Sequence, residues 1–198
     1  MQSYLGEYPH AAADRENKFI RAVSSVQKQT FEDWEMVIVS DGCELTSQLF
    51  IKYIRDQRIK ITCLHKQKMW SGVPRNTGIR LAKGEYIVYL DTDDIFSCDH
   101  LETIDRQLRE YDWVYFSDLV YNKKDDNFKC RVADPGRLGK CGTSNICHRR
   151  SMGEIWQRSG YAREDLYATK VLRSKSSNFR QIETPGYYVC HIPKRYDL

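Results

Sequence analysis

Residues 72–94 read GVPRNTGIRLAKGEYIVYLDTDD, and a proline and a glycine divide the stretch into a helix, a strand and an acidic end. Pro74 stands where a helix starts and Gly84 where it stops, with Ile79 and Leu81 as apolar positions between them, so the spacing predicts a helix over 75–83. That helix feeds EYIVYL, residues 85–90, an apolar run of the kind a buried strand carries. Asp91, Asp93 and Asp94 then crowd within four positions. Carboxylates this close raise one another's pKa and settle only when a cation or a set of donors compensates them. A hard divalent ion, Mn²⁺ or Mg²⁺, takes one or two such carboxylates together with substrate phosphate oxygens. The same residues also suit a polar turn that caps the next helix.

Outward from this stretch the alternation repeats. On the N-terminal side Phe19, Ile20, Val23 and Val26 recur at helical spacing ahead of WEMVIVSDG (34–42), an apolar run ending in turn residues. Leu45, Leu49, Phe50, Tyr53 and Ile54 make a second helical stripe, followed by the strand-like IKITCL (59–64). On the C-terminal side Leu101, Ile104 and Leu108 mark a helix whose Asp99 and Glu102 have capping-box spacing, and WVYFSDLVY (113–121) reads as one further strand. Strands and helices alternating at these lengths predict an α/β fold, with a mainly parallel, Rossmann-like sheet flanked by helices.

The second half is less regular. Residues 122–142 are polar, hold Pro135, Gly136 and Gly139, and read as a long surface connection. Helices near 151–158 and 164–173 and strands near 179–183 and 187–192 follow. The expectation is a single domain over 1–198, with a regular half at 1–121 and an irregular half at 122–198.

Composition narrows the function classes. The chain has 198 residues, 41% of them hydrophobic, which is enough for a sizeable core. It has no run of 18 apolar residues, and MQSYLGEYPH lacks the basic-then-apolar layout of a secretion signal, so a cytoplasmic location is expected. Seven cysteines at 43, 63, 98, 130, 141, 147 and 190 form no C-x-x-C pair and read as reduced thiols rather than a zinc site. The net charge of +4 is uneven: residues 123–150 hold eight Lys/Arg against three acids. Such a stretch faces an anionic partner or a lipid surface, or is an ordinary solvated loop. Nucleic acid is not called for, since no basic helix or aromatic-interleaved module accompanies it.

In open parallel sheets ligands bind beyond the carboxyl ends of strands. Two acidic strand ends occur, at Asp41 and at Asp91 to Asp94. Asp41 suits hydrogen bonds to a base or ribose, and the triplet suits a metal-bridged diphosphate. Alone, SDG is usually a turn; the pair points to a nucleotide.

The order VIVSDGC (37–43), GVPRNTGIRLAKGEYIVYLDTDD, then ARED (162–165) at a helix start resembles the family 2 glycosyltransferases of the GT-A fold. The likeness covers roughly residues 3–192 and is most specific at 72–94. It implies an inverting, metal-dependent transferase that moves a sugar from a nucleotide-sugar, a UDP-sugar being the commonest donor, to a glycan or lipid-linked acceptor. Carried over by position, Asp41 contacts the nucleoside and Arg75 lies near the base or diphosphate, with Asn76 beside it. Asp91 binds the ribose or sugar, with Thr92 next to it, and Asp93 binds the Mn²⁺ or Mg²⁺ ion. Asp94 assists that motif or caps the next helix. His191 in YYVCHIP (187–193) stands where a metal or diphosphate contact is placed. Asp165, paired with Glu164, is the general base, and GTSN (142–145) falls where the acceptor is contacted. A lipid-linked acceptor implies peripheral association with the inner face of the membrane.

The chain departs from the family at its start. Family members open with an apolar strand of the type Val-Ser-Val-Ile-Ile-Pro, whereas the sequence begins Met1-Gln2-Ser3-Tyr4. A central parallel strand is apolar on both faces and pairs on both edges. Its apparent absence predicts that another segment, a second copy or a partner chain completes the sheet, or that the natural start codon lies upstream. Other readings fit less well. A haloacid-dehalogenase-type phosphatase needs its aspartates near the first strand, and a nucleotidyltransferase needs a Gly-rich phosphate loop that YLGEYPHAAAD (4–14) is not. A catalytically degenerate binding or assembly module is the remaining alternative.

Overall fold

The computed structural model describes residues 1–7, 13–67, 71–122, 124–137, 140–158, 164–183 and 186–190, and of Glu164 and Asp165 only the backbone. The first sheet is parallel throughout. It holds β1 (Gln2–Ser3), β2 (Met36–Asp41) and β3 (Ile59–Leu64), in the order β1-β2-β3. β2 is its centre: Ile38 and Val39 point to opposite faces and both are buried, as a strand covered on two sides requires. Helix α1 (Arg15–Gln27) covers the sheet with Phe19, Ala22, Val23 and Val26, and α2 (Glu44–Tyr53) with Leu49.

Helix α3 (Gly72–Leu81) starts two residues before its proline and ends where Ala82 turns extended. Gly72 is there for space: a Cβ would lie 1.7 Å from the Gln157 carbonyl oxygen. The strand that follows, β4 (Tyr86–Ile87), is shorter than EYIVYL predicts. Residues 88–90 stay buried or half-buried but join no ladder, because strand pairing needs a neighbour and β4 has one only on its β9 side. Beyond lie β5 (Ile95–Phe96), α4 (His100–Leu108), β6 (Trp113–Phe116), β7 (Asp118–Asn122), β8 (Asn127–Arg131), β9 (Ile146–Arg149), α5 (Glu164–Lys175), β10 (Phe179–Ile182) and β11 (Tyr187–Val189). They form two sheets, β10-β6-β9-β4 and β5-β11-β7-β8. The parallel character continues in β10 with β6 and β11 with β7, while β9 runs antiparallel between β6 and β4.

Four local readings change. WVYFSDLVY is two strands in two sheets, broken at Ser117, whose Oγ accepts the Ala133 N–H at 3.2 Å. Residues 122–142 are not a bare connection, since β8 pairs with β7 across a turn in which Asp126 has φ 49°. The helix near 151–158 shrinks to a 3₁₀ turn at Arg150–Met152, ended by Gly153 at φ 68°. Asp99 does precede α4, but it makes no side-chain capping bond; its carboxylate accepts from Ser97 Oγ at 2.6 Å, and Glu102 bonds Thr30 instead.

Much of the basic stretch is used internally. Arg131 makes a two-pronged bond to buried Asp118, Lys129 pairs with Asp125, and Arg149 with Glu85 and Asp112. All seven cysteines are free thiols.

Candidate functional site

Asp41 ends β2 almost fully buried. Its Oδ1 accepts the Gln67 N–H at 2.7 Å and its Oδ2 the Lys66 ammonium at 2.8 Å. Gly42, at φ 64°, lets this turn close on the Lys66 backbone, which a Cβ would meet at 2.5 Å. Lys66 also lies over the Tyr4 ring, 4.1 Å from its centre. The acidic strand end thus sits in a frame of backbone donor, cation and aromatic ring.

Arg75 is the most constrained cation of the site, with its side chain 9% exposed. From the first turns of α3 it donates to Thr143 Oγ1 at 3.0 Å, to Asp91 Oδ1 at 3.3 Å and to Ser71 Oγ. Its guanidinium stands 5.1 Å from the Trp156 ring centre. A guanidinium held this way is an oriented fork for an anionic oxygen. One cavity is lined by Arg75 and Asp91 together with Val39 and Met1.

The three aspartates do three different things. Asp91 is about one-third exposed and joined to Arg75. Asp93 is half-buried, and its carbonyl accepts from Arg21 at 3.1 Å. Asp94 is buried: Oδ2 accepts the Tyr187 hydroxyl at 2.7 Å and Oδ1 the Cys190 N–H at 2.9 Å. Burial first, then Asp93 and Asp91, pushes the Asp94 carboxyl well above the usual carboxylate range. It caps no helix; it anchors the acidic turn to β11. The Tyr187 hydroxyl also accepts the Asp91 N–H at 3.3 Å, tying both ends of the turn.

Asn76, expected among the donor contacts, is turned inward. Its amide donates to the Trp156 carbonyl at 2.8 Å and accepts the Trp156 N–H at 3.1 Å, and it is 1% exposed. With both ends occupied, it holds the Trp156 segment beside Arg75 rather than a ligand. Thr92 lies half-buried in the acidic turn. Glu164 and Asp165 open α5, but the direction of their carboxylates lies outside the described residues, as does His191.

Two residues of α1 escaped the reading. Arg21 bridges the Asp93 and Cys190 carbonyls, each at 3.1 Å. Lys18 is buried; burial lowers its pKa while the negative charge of Asp93 opposes the shift. The signal available was two cations set into the flank of an apolar helical stripe.

The half-buried carboxylates at this end fit a hard divalent ion in part. Asp91 and Asp93 offer carboxylates, yet among the described residues no group of three or more His, Cys, Asp or Glu side chains is arranged to hold a metal. That suits an ion completed by substrate phosphates, as Mg²⁺ sites commonly are.

Comparison with known proteins identifies the family and the fold. The family model described as glycosyl transferase family 2 matches residues 12–175. An uncharacterized glycosyltransferase of Rickettsia bellii (strain RML369-C) is 31% identical over 116 residues, covering 59% of the chain and 16% of that protein. The UDP-Glc:alpha-D-GlcNAc-diphosphoundecaprenol beta-1,3-glucosyltransferase WfgD of Escherichia coli is 31% identical over 102 residues, covering 52% of the chain and 40% of that protein. Among solved structures, S. aureus TarS 1-349 in complex with UDP-GlcNAc superposes with a TM-score of 0.73 at 19% identity, covering 93% of the chain and 57% of that one. The chain therefore spans well under two-thirds of the length of these relatives.

Proposed function

The chain belongs to the family 2 glycosyltransferases, and from that premise we propose that it transfers a sugar from a UDP-sugar to a hydroxyl of a glycan or lipid-linked acceptor, with inversion at the anomeric carbon. The observation that carries this reading is the Arg75 fork joined to Asp91, two positions before Asp93. In it, residues 1–121 form the donor half and 122–198 the acceptor half. Asp41 takes the nucleoside, Arg75 the diphosphate, and Asp91 with Thr92 the ribose or sugar. Asp93, with His191, would hold Mn²⁺ or Mg²⁺, which when bound offsets charge on the departing diphosphate. Asp165, beside Glu164 at the start of α5, removes the acceptor proton. The relatives support the donor and acceptor classes: WfgD is named for UDP-Glc and a diphosphoundecaprenol acceptor, and TarS was solved with UDP-GlcNAc. No described helix is long and apolar enough to cross a membrane, so a lipid-linked acceptor would be met at the inner membrane face by peripheral contact.

Thermal shift with UDP-, GDP- and dTDP-sugars, with and without Mn²⁺, tests the donor, because a ligand of the native state stabilises by mass action. Stabilisation by a UDP-sugar that needs Mn²⁺ and is lost in Asp93→Ala is expected. Undiminished, metal-independent binding in that variant overturns the metal role. Asp165→Asn should keep donor binding while transfer falls by roughly 10²–10⁴. Donor binding with no transfer by the unaltered protein, across glycan and lipid-linked acceptors, identifies a binding module instead.

A further inference from the structure

The N–H groups of a guanidinium lie in its plane, so the bonds to Ser71, Asp91 and Thr143 hold Arg75 only by its edge. All three partners are half-buried. The face of the fork is bounded by a different residue: the Trp156 ring lies over it, 5.1 Å away at its centre, and Trp156 is 3% exposed. A cation over an aromatic face is attracted by the ring's quadrupole, the more so where water is excluded.

Helix α3, which carries Arg75, also sets the place of that ring. Asn76, the next residue, closes both ends of its amide on the Trp156 backbone, at 2.8 and 3.1 Å. Gly72 admits the Gln157 carbonyl, and Arg80 pairs with Glu154. From the other side Lys175, at the end of α5, donates to the Met152 carbonyl and, at 3.4 Å, to that of Glu154. Segment 152–157 is thus fastened without help from the indole. A buried indole N–H ordinarily finds an acceptor. That of Trp156 has none among the described residues, and Tyr89, edge-on to the ring at 5.0 Å, gives its hydroxyl to His148. The ring is therefore oriented by the backbone clasp and not by its own polar group, and the contact this orientation secures is the face of Arg75.

On the reading that Arg75 meets the diphosphate, we propose that Trp156 is a positioning residue for donor binding: its ring presets the Arg75 guanidinium for the phosphate oxygens. An arginine already held in edge and face loses little side-chain freedom when the nucleotide arrives, and affinity rises by what is not lost. Trp156 touches no ligand in this role and acts through Arg75 alone. Part of the donor site is then supplied by the second half of the chain.

The test is a double-mutant cycle read by calorimetric titration with UDP, Mn²⁺ being present throughout and the temperature well below unfolding. Trp156→Met, which fills the site without an aromatic face, should weaken UDP binding by about threefold to thirtyfold, the worth of a shielded cation–π contact. The same change made in Arg75→Ala should add no more than about twofold, since the group it positions is gone. A residue that merely supports the fold would weaken binding by the same factor in both backgrounds, and that result overturns the proposal. So does unchanged or tighter binding in Trp156→Met. Should that variant fail to fold, singly and doubly fluorinated tryptophans placed at 156 keep the shape and weaken only the ring's quadrupole; UDP affinity should then fall stepwise, and no fall overturns the proposal. No binding by the unaltered protein, or full binding by Arg75→Ala, overturns the donor role of Arg75 and this inference together. Loss of binding in Arg75→Ala with no effect at Trp156 overturns this inference alone.

Discussion

At the scale of single residues, the site rests on how differently three neighbouring carboxylates are treated. Asp91 and Asp93 are half-buried, whereas Asp94 is buried with the Tyr187 hydroxyl and the Cys190 N–H as its partners. Tyr187→Phe removes the bond to Asp94 and the acceptor for Asp91 N, leaving buried polar groups short of partners. Such a loss costs about 1–3 kcal/mol, and for a chain of this length each kcal/mol lowers Tm by roughly 2–4 °C. Asp94→Asn should cost less than Asp94→Ala, because it keeps the shape and removes a charge that burial and Asp93 oppose. Thermal unfolding of the three variants checks the ranking; an Asn variant as unstable as the Ala variant would show that the charge itself is required.

At the scale of elements, the decisive contact is α3 against residues 156–157. Gly72 lets the Gln157 carbonyl approach, and Asn76 binds the Trp156 backbone one turn later. Trp156 in turn flanks Arg75. Gly72→Ala forces the backbone apart and should cost about 1–3 kcal/mol or more; Asn76→Ala should cost about 1–3 kcal/mol. Both changes release the same segment, so the double variant is expected to fall short of the sum of the singles. Urea unfolding of the four proteins measures this. Strict additivity would mean that the two contacts are independent and that α3 holds the segment at two separate points.

At the scale of the whole molecule, two histidines sealed in the core tie stability to pH. His148 accepts the Tyr89 hydroxyl at 2.7 Å through Nε2 and donates from Nδ1 to the Arg149 carbonyl at 2.8 Å. His100 is stacked on Phe96 at 4.3 Å and meets the edge of Phe116. Burial lowers His148 to about 4, against the favourable bond to Arg149, and lowers His100 to about 3, against the pull of Asp99. Since both folded values lie below the ordinary 6.5, the unfolded chain takes up these protons first as the pH falls. Their contribution is whole above about pH 6.5 and is lost toward pH 4 and 3. Each proton steepens the fall by about 1.4 kcal/mol per pH unit. Unfolding free energies between pH 7 and pH 4 should show this slope, and His148→Gln should reduce it by up to one proton; an unchanged slope would place the titration elsewhere.

Periodicity and punctuation in the sequence were sufficient for the alternation of helices and strands through residue 108 and for the acidic end of β2, and the resemblance carried by its motifs was sufficient for the family. Each of these is a local pattern: an apolar stripe states which side of an element is buried, and Pro74 and Gly84 state where one begins and ends. Pairing is not local, and that is what the tertiary structure decided. It divided 113–121 between two sheets, placed β9 between β6 and β4, and turned 127–131 into a strand. It also set which polar groups are available to a ligand. Tyr187 reaches Asp94 across 93 positions, Trp156 reaches Asn76 across 80, and Arg21 reaches the Asp93 carbonyl across 72. A buried polar group must find its partner wherever the fold brings one, so the division of DTDD into two half-buried carboxylates and one buried anchor is a property of the folded chain and not of the motif.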